Sequence, residues 1–173
     1  MNGAHTLLET LMEAGVEVCF ANPGTSDMHL VTAIGKTEKV RPILCLFEGG
    51  VMGAADGYAR ISGKPAITLL HLGPGYANSM ANLHNAKRAN SAIVNIVGDH
   101  AVWHHQHDAP LTSDVEAHVK IHSHWFKTTT SAEDLSLAGA EAVAASLSGA
   151  GKIATLVVPA NHAWEASSKS FDR

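Results

Sequence analysis

Apolar and polar positions along this chain follow two rhythms, one that suits helices and one that suits buried strands. Residues 3–15 bring Leu7, Leu8, Leu11 and Met12 to one side of a helix, with Asn2 placed to cap it and Gly15 to end it. Val16 to Phe20 then reads as a strand. A helix over 26–35 opens on Ser26 with Asp27 in its first turn, where a negative charge suits the helix dipole. Ile43-Leu44-Cys45-Leu46-Phe47 is unbroken apolar sequence, the pattern of a parallel strand covered on both faces. The same reading gives a helix over 49–62 stopped by Gly63, a strand over 66–70, a helix over 76–89 and a strand over 92–97. A helix over 133–148 and a strand over 153–158 complete it. Segment 99–130 departs from the rhythm and suggests only a short helix near 114–119 and a strand near 121–128.

Repeated strand–helix units with short connections predict an α/β fold: a three-layer, doubly wound parallel sheet of about six strands with helices on both faces. The 173 residues fit one such domain. It is expected over 1–165, with the polar stretch 166–173, which contains Ser167-Ser168-Lys169-Ser170, resembling the start of a linker. A net charge of −4 leaves no basic stripe for phosphates and argues against nucleic acid. No apolar run approaches the roughly 20 residues that span a bilayer, so no membrane role is expected. Cys19 and Cys45 sit in apolar segments, and Met1-Asn2-Gly3-Ala4 lacks the features of a signal peptide. A cytoplasmic protein without disulfides is the expectation.

In open parallel sheets ligands bind beyond the carboxyl ends of the strands, and here those ends carry the unusual residues. They are Asn22-Pro23-Gly24-Thr25-Ser26, Glu48-Gly49-Gly50, His71-Leu72-Gly73-Pro74-Gly75 and Gly98-Asp99-His100. Glycines let a ligand approach the backbone, and prolines fix the turns. Glu48 follows five apolar residues and precedes a glycine pair that opens a helix. A carboxyl group stripped of water there favours a neutral, proton-donating form. The same position also suits a simple cap on the helix that follows.

Asn22-Pro23-Gly24, Phe47-Glu48-Gly49, Ala55-Asp56-Gly57-Tyr58-Ala59-Arg60, and Gly73-Pro74-Gly75 with Asn78 occur in this order, followed by a strand ending at Gly98. The set resembles the pyrimidine-binding (PYR) domain of the thiamine diphosphate enzymes that include acetolactate synthase, pyruvate oxidase and benzoylformate decarboxylase, from about residue 3 to about residue 162. The resemblance implies a 2-keto-acid decarboxylase or carboligase in which Glu48 bonds the aminopyrimidine and promotes its imino tautomer, so that the thiazolium C2 proton can leave. It places Pro23, Gly24, Gly73, Pro74 and Asn78 with Glu48 around the cofactor. His71 matches an active-site histidine and Thr25 a substrate-contacting serine of the decarboxylase. Leu111 matches a decarboxylase leucine where acetolactate synthases tend to carry glutamine. The diphosphate and its Mg²⁺ are expected in a domain this chain does not contain, supplied by another protomer of a homodimer or homotetramer. Gly98-Asp99-His100 does not match the family's Gly-Asp-Gly metal motif, so no metal is assigned to this chain.

Nine of the 12 histidines fall between His71 and His124. His104 and His105 resemble the paired histidines of pyruvate and indolepyruvate decarboxylases. His100, His104, His107 and Asp108 also have the chemistry of transition-metal ligands, and a solvated loop or subunit contact is a third reading. Asp56 and Arg60 have the spacing of a surface ion pair, and Tyr58 is expected beneath the site. Rival classes are an acetolactate synthase-type carboligase, a PYR-like module without catalysis, and a flavodoxin-like nucleotide binder. Against the last, Gly73-Pro74-Gly75-Tyr76-Ala77-Asn78 lacks the third glycine of a dinucleotide fingerprint, and there is no P-loop.

Overall fold

The computed structural model describes residues 1–168. Helix α1 (Gly3–Glu13) starts at Asn2, whose side chain accepts the His5 N–H at 3.1 Å, and its stripe of Leu7, Leu8 and Leu11 is buried. Strand β1 (Val18–Asn22) leads through a 3₁₀ turn (Thr25–Asp27) into α2 (Met28–Gly35) and the short β2 (Arg41–Leu44). Helix α3 (Glu48–Ser62), β3 (Ala66–His71), α4 (Leu72–Arg88) and β4 (Ile93–Asp99) follow. Beyond a second 3₁₀ segment (Val102–His107) come α5 (Val115–His122), β5 (Trp125–Thr128), α6 (Asp134–Ser146), β6 (Ile153–Pro159) and α7 (Ala160–Trp164).

The six strands form one sheet in the order β2-β1-β3-β4-β6-β5, every pair parallel. Alternate residues of the central strands serve two cores. Ile67, Leu69, Ile96 and Leu156 pack with α1, α2 and α6. Leu70, Ile93, Val97 and Val157 pack with α3, α4 and α5 on the other face. The doubly wound α/β sheet predicted from the sequence is therefore the fold observed.

A polar row interrupts the second core. Thr68, Asn95 and Thr155 stand abreast in register, Thr68 Oγ1 donating to Asn95 Oδ1 at 2.8 Å and Asn95 Nδ2 to Thr155 Oγ1 at 3.2 Å. Ser123 lies 2.6 Å from Thr155 and 3.3 Å from the Tyr76 hydroxyl, which ties α4 to the row. Each side chain of this row finds a partner, the condition for keeping such groups inside.

Four elements differ from the sequence reading. The apolar run 43–47 is not a strand covered on both faces. Only Arg41–Leu44 pairs, with β1 alone, and Leu46 is 93% exposed beside the exposed Leu44 and Phe47. As the outermost strand, β2 has one neighbour, and Pro42, which has no N–H to donate, is tolerated there. Helix α4 starts at Leu72 rather than 76, so Gly73-Pro74-Gly75 is not a loop but its first turn, where a missing proline N–H costs nothing. Helix α5 continues to His122, which shortens β5 to four residues. The short α7 interrupts the expected run towards a tail. Ala166 bridges Asn2, and the Ser167 N–H donates to the Met1 carbonyl at 3.0 Å, while 169–173 lie outside the described residues.

Among the described residues no helix is long and apolar enough to cross a membrane.

Candidate functional site at the carboxyl edge of the sheet

Strand β1 connects outward to β2 through α2 on one face, whereas β3 connects to β4 through α4 on the other. Connections that part in this way open a crevice between the ends of the two strands. Asp27, 0% exposed, fills its floor. Its Oδ2 accepts the Gly24 N–H at 2.7 Å and pairs with His71 Nδ1 at 2.9 Å. An ionised Asp27 can only accept, so His71 carries a proton on Nδ1 and leaves Nε2 as the nitrogen free to change state. The Asp27 hydrogen bond holds the His71 imidazole above its usual pKa, against the effect of burial and with help from the charges of Asp27 and Glu48.

Two glycines make this arrangement possible. A Cβ on Gly24 would overlap the His71 ring, and one on Gly98, in β4, would overlap Asp27 Oδ1. His71 is followed by Leu72 in the left-handed region, φ +56°, a conformation that a leucine adopts at a cost of about 1–2 kcal/mol. The strand thus turns sharply into α4 with His71 at the bend.

Glu48 is the first residue of α3 and is 8% exposed. Asn78 Nδ2 donates to its Oε2 at 2.9 Å. The other oxygen, Oε1, faces Gly75, where a Cβ would stand 3.4 Å away. One turn along α4, Asn82 Nδ2 donates to the Gly49 carbonyl at 2.7 Å. The sequence raised both a functional reading of Glu48 and a capping one, and no bond from Glu48 to a backbone N–H of its own helix is formed among the described residues.

The remaining candidates are spread along the edge. Thr25 is exposed in the turn after β1. Pro23 lines a cavity of about 200 Å³ with Cys19, Val31, Ile34 and Pro42, on the α2 side of the sheet and away from Glu48. Gly73 is covered by Ser113, whose Oγ donates to the Leu111 carbonyl at 3.2 Å, so segment 111–113 folds over the first turn of α4 while Leu111 itself is exposed. Pro74 is exposed in that turn.

His104 and His105 lie on the 3₁₀ segment after β4, with His100–His104 and His104–His107 ring centres 5.0 and 5.7 Å apart. His105 Nε2 is 3.3 Å from the buried Asp99, whose pKa burial raises, and burial lowers that of His100. Among the described residues no group of three or more His, Cys, Asp or Glu side chains is disposed to hold a metal ion, which leaves the metal reading of this cluster without a site.

Two corrections concern side chains. Asp56 is not on the surface: it is buried, holds Arg60 through Nε at 2.8 Å and Nη2 at 2.6 Å, and accepts a short hydrogen bond from Ser91 ahead of β4. Asp56 thus fastens the far half of α3 to the opposite edge of the sheet. Asp27, read only as a first-turn acid, proves to be the partner of His71.

A doubly wound domain with a buried carboxylate at a helix start, an amide against it and a histidine–aspartate pair beside it belongs to the α/β domains that bind ligands at their carboxyl edge. The chain belongs to the family described as "Thiamine pyrophosphate enzyme, N-terminal TPP binding domain", whose model matches residues 1–125. It is 54% identical over 164 residues to a putative acetolactate synthase large subunit of Mycobacterium tuberculosis, covering 95% of this chain and 32% of that protein. It is 39% identical over 90 residues to the benzoylformate decarboxylase of Pseudomonas aeruginosa, covering 52% of this chain and 17% of that one. Among solved structures, the thiamine diphosphate-dependent 4-hydroxybenzoylformate decarboxylase of Rhodococcus jostii RHA1 superposes with TM-score 0.91 at 25% identity, over 98% of this chain and 32% of that one. The chain therefore spans about a third, or less, of the proteins it matches.

Proposed function

We propose that this domain holds the pyrimidine half of thiamine diphosphate and controls its protonation through Glu48, as part of an enzyme acting on 2-keto acids. The arrangement of Glu48 supports this most directly: a buried carboxyl with one oxygen engaged by Asn78 and the other facing the Gly75 backbone. That donor set fits an aminopyrimidine, a flat ring that offers a nitrogen to a carboxyl and edge contacts to glycine backbone. When bound, thiamine diphosphate supplies the carbon nucleophile and the electron sink of the reaction. Glu48 shares a proton with the pyrimidine ring nitrogen, and its low exposure keeps water from competing for that proton. Gly75 gives the ring room beside Glu48 Oε1 in this reading, with Gly73 and Pro74 in the same turn and Pro23 and Gly24 in the turn after β1. His71, oriented by Asp27, moves a proton at Nε2 on the substrate side, and Thr25, His104, His105 and Leu111, further along the edge, complete the set of substrate contacts in this reading.

The diphosphate and its Mg²⁺ belong, on this reading, to a domain of another protomer, and a second copy of this chain covers the exposed apolar strip at Leu44 and Leu46. Decarboxylation is favoured by His71 and Leu111. Carboligation is favoured by the 54% identity with the putative acetolactate synthase subunit. Product analysis separates them: benzoylformate converted to benzaldehyde supports the first, and pyruvate converted to acetolactate the second.

The central test is Glu48→Gln in the protein assembled with its diphosphate-binding domain. Hydrogen–deuterium exchange at C2 of the bound cofactor is expected to slow by about 10²–10⁴-fold, the usual weight of a general acid–base group. An unchanged exchange rate with thiamine diphosphate bound would refute the proposal.

A further inference from the structure

A glutamate at the first position of a helix has its own helix's free N–H groups within reach, and these ordinarily attract it. Glu48 does not turn that way. Its Oε2 is taken instead by Asn78, on a different helix thirty residues further along the chain. Asn82 lies four residues beyond Asn78, on the same side of α4, and binds the carbonyl of Gly49, the residue next to Glu48. The helices approach closely at the second of these bonds: a Cβ on Gly53 of α3 would stand 3.3 Å from Asn82 Nδ2. From below, the hydrogen-bonded row ending at Tyr76 anchors the same stretch of α4.

The two oxygens of Glu48 are therefore not equivalent. An amide N–H₂ can only donate, so the oxygen it meets must accept, and a proton on the carboxyl is confined to the other one. That other oxygen is Oε1, on the Gly75 side. We propose that Asn78 and Asn82 form a positioning clamp for Glu48: Asn78 occupies Oε2 and directs the exchangeable proton to Oε1, and Asn82 fixes the backbone from which the side chain projects. Asn78 then acts through Glu48 rather than as a contact to the cofactor. The functional part of this inference rests on the role proposed for Glu48 above.

The test compares Asn78→Ala, Asn78→Asp, Asn78→Ser and Asn82→Ala with Glu48→Gln in the assembled protein, using thiamine diphosphate itself as probe. Three quantities are read for each: affinity for the cofactor, the rate of C2 exchange, and the pH dependence of that rate. Asn78→Ala is expected to slow exchange by about 10–100-fold, the usual effect of a misplaced catalytic group, with affinity within roughly threefold of the parent. Asn78→Asp, which sets a like charge against Oε2, should move the acid limb of the profile to higher pH. Asn78→Ser, which retains a donor, should recover part of the rate. Asn82→Ala should show a smaller loss without a change in profile.

Parent-like rates and profiles in the Asn78 variants, with Glu48→Gln slow, would overturn the clamp and leave the role of Glu48 standing. A parent-like rate in Glu48→Gln would instead remove the role itself. Loss of cofactor binding in all folded Asn78 variants would make Asn78 a cofactor contact and refute the positioning role. If Asn78→Ala fails to fold, the serine and aspartate variants decide.

Discussion

The hydrogen bond from His71 to Asp27 joins the ends of two neighbouring strands across 44 residues of sequence. Because this bond raises the folded pKa of His71, it adds stability fully present below the ordinary histidine value of about 6.5 and lost as pH rises through the higher folded value. Asp27→Asn keeps the shape of the side chain but removes its charge. In that variant the His71 pKa is expected to fall, as followed by NMR titration of the ring protons. The stability lost relative to the parent should be larger at pH 5.5 than at pH 8.5. An unmoved titration would mean that Asp27 does not control the ring. Glu48 was legible in the sequence because an acid after five apolar residues is out of place. Asp27 was not, since an acid in a first helical turn is ordinary and only the folded chain brings His71 to it. Asn78 was recognisable from the family resemblance, but its contact with Glu48 depends on how two helices pack.

At the scale of elements, the ends of β1, β3 and β4 fit together only because Gly98 yields its side-chain space to Asp27. Gly98→Ala forces the new methyl group against a carboxylate already held by the Gly24 N–H and by His71. A loss of about 1–3 kcal/mol is expected, or roughly 2–12 °C in Tm, measurable by calorimetry. Gly63→Ala is the useful comparison, since its methyl group meets nothing within 4 Å and only the left-handed φ of +68° opposes it. About 1 kcal/mol is expected there. Helix α1 was legible because its burial is confined to one stripe, and β4 and β6 because every residue in them is buried. The run 43–47 misled because hydrophobicity alone does not say where in a sheet a strand lies, and this one lies at the edge with Leu44 and Leu46 exposed. Gly73-Pro74-Gly75 misled because proline and glycine mark turns and helix starts alike. Between residues 99 and 130 the helices and strand are too short to establish a period.

Over the whole molecule, burial lowers the pKa of His100, His122, His124 and His162. As pH falls below about 6.5 the unfolded chain takes up these protons before the folded one does, so stability declines through the lowered folded values. His71 acts in the opposite sense, as does Asp99 in a more acid range, where its raised pKa favours the folded form. With four groups against one in the histidine range, urea midpoints are expected to fall from pH 7.5 to pH 5.5. A flat or rising series would contradict the burial of these rings. The exposed Leu44 and Leu46 should drive association, and Leu46→Glu is expected to shift sedimentation towards smaller species. The row formed by Thr68, Asn95 and Thr155 has a consequence for how the strands find their alignment. Side chains alternate between faces, so sliding β4 by one position against β3 or β6 would thrust the Asn95 amide into the layer filled by Val94 and Ile96. Misaligned sheets would thus carry an orphaned amide in oil, and the chain is steered away from them before any ligand arrives.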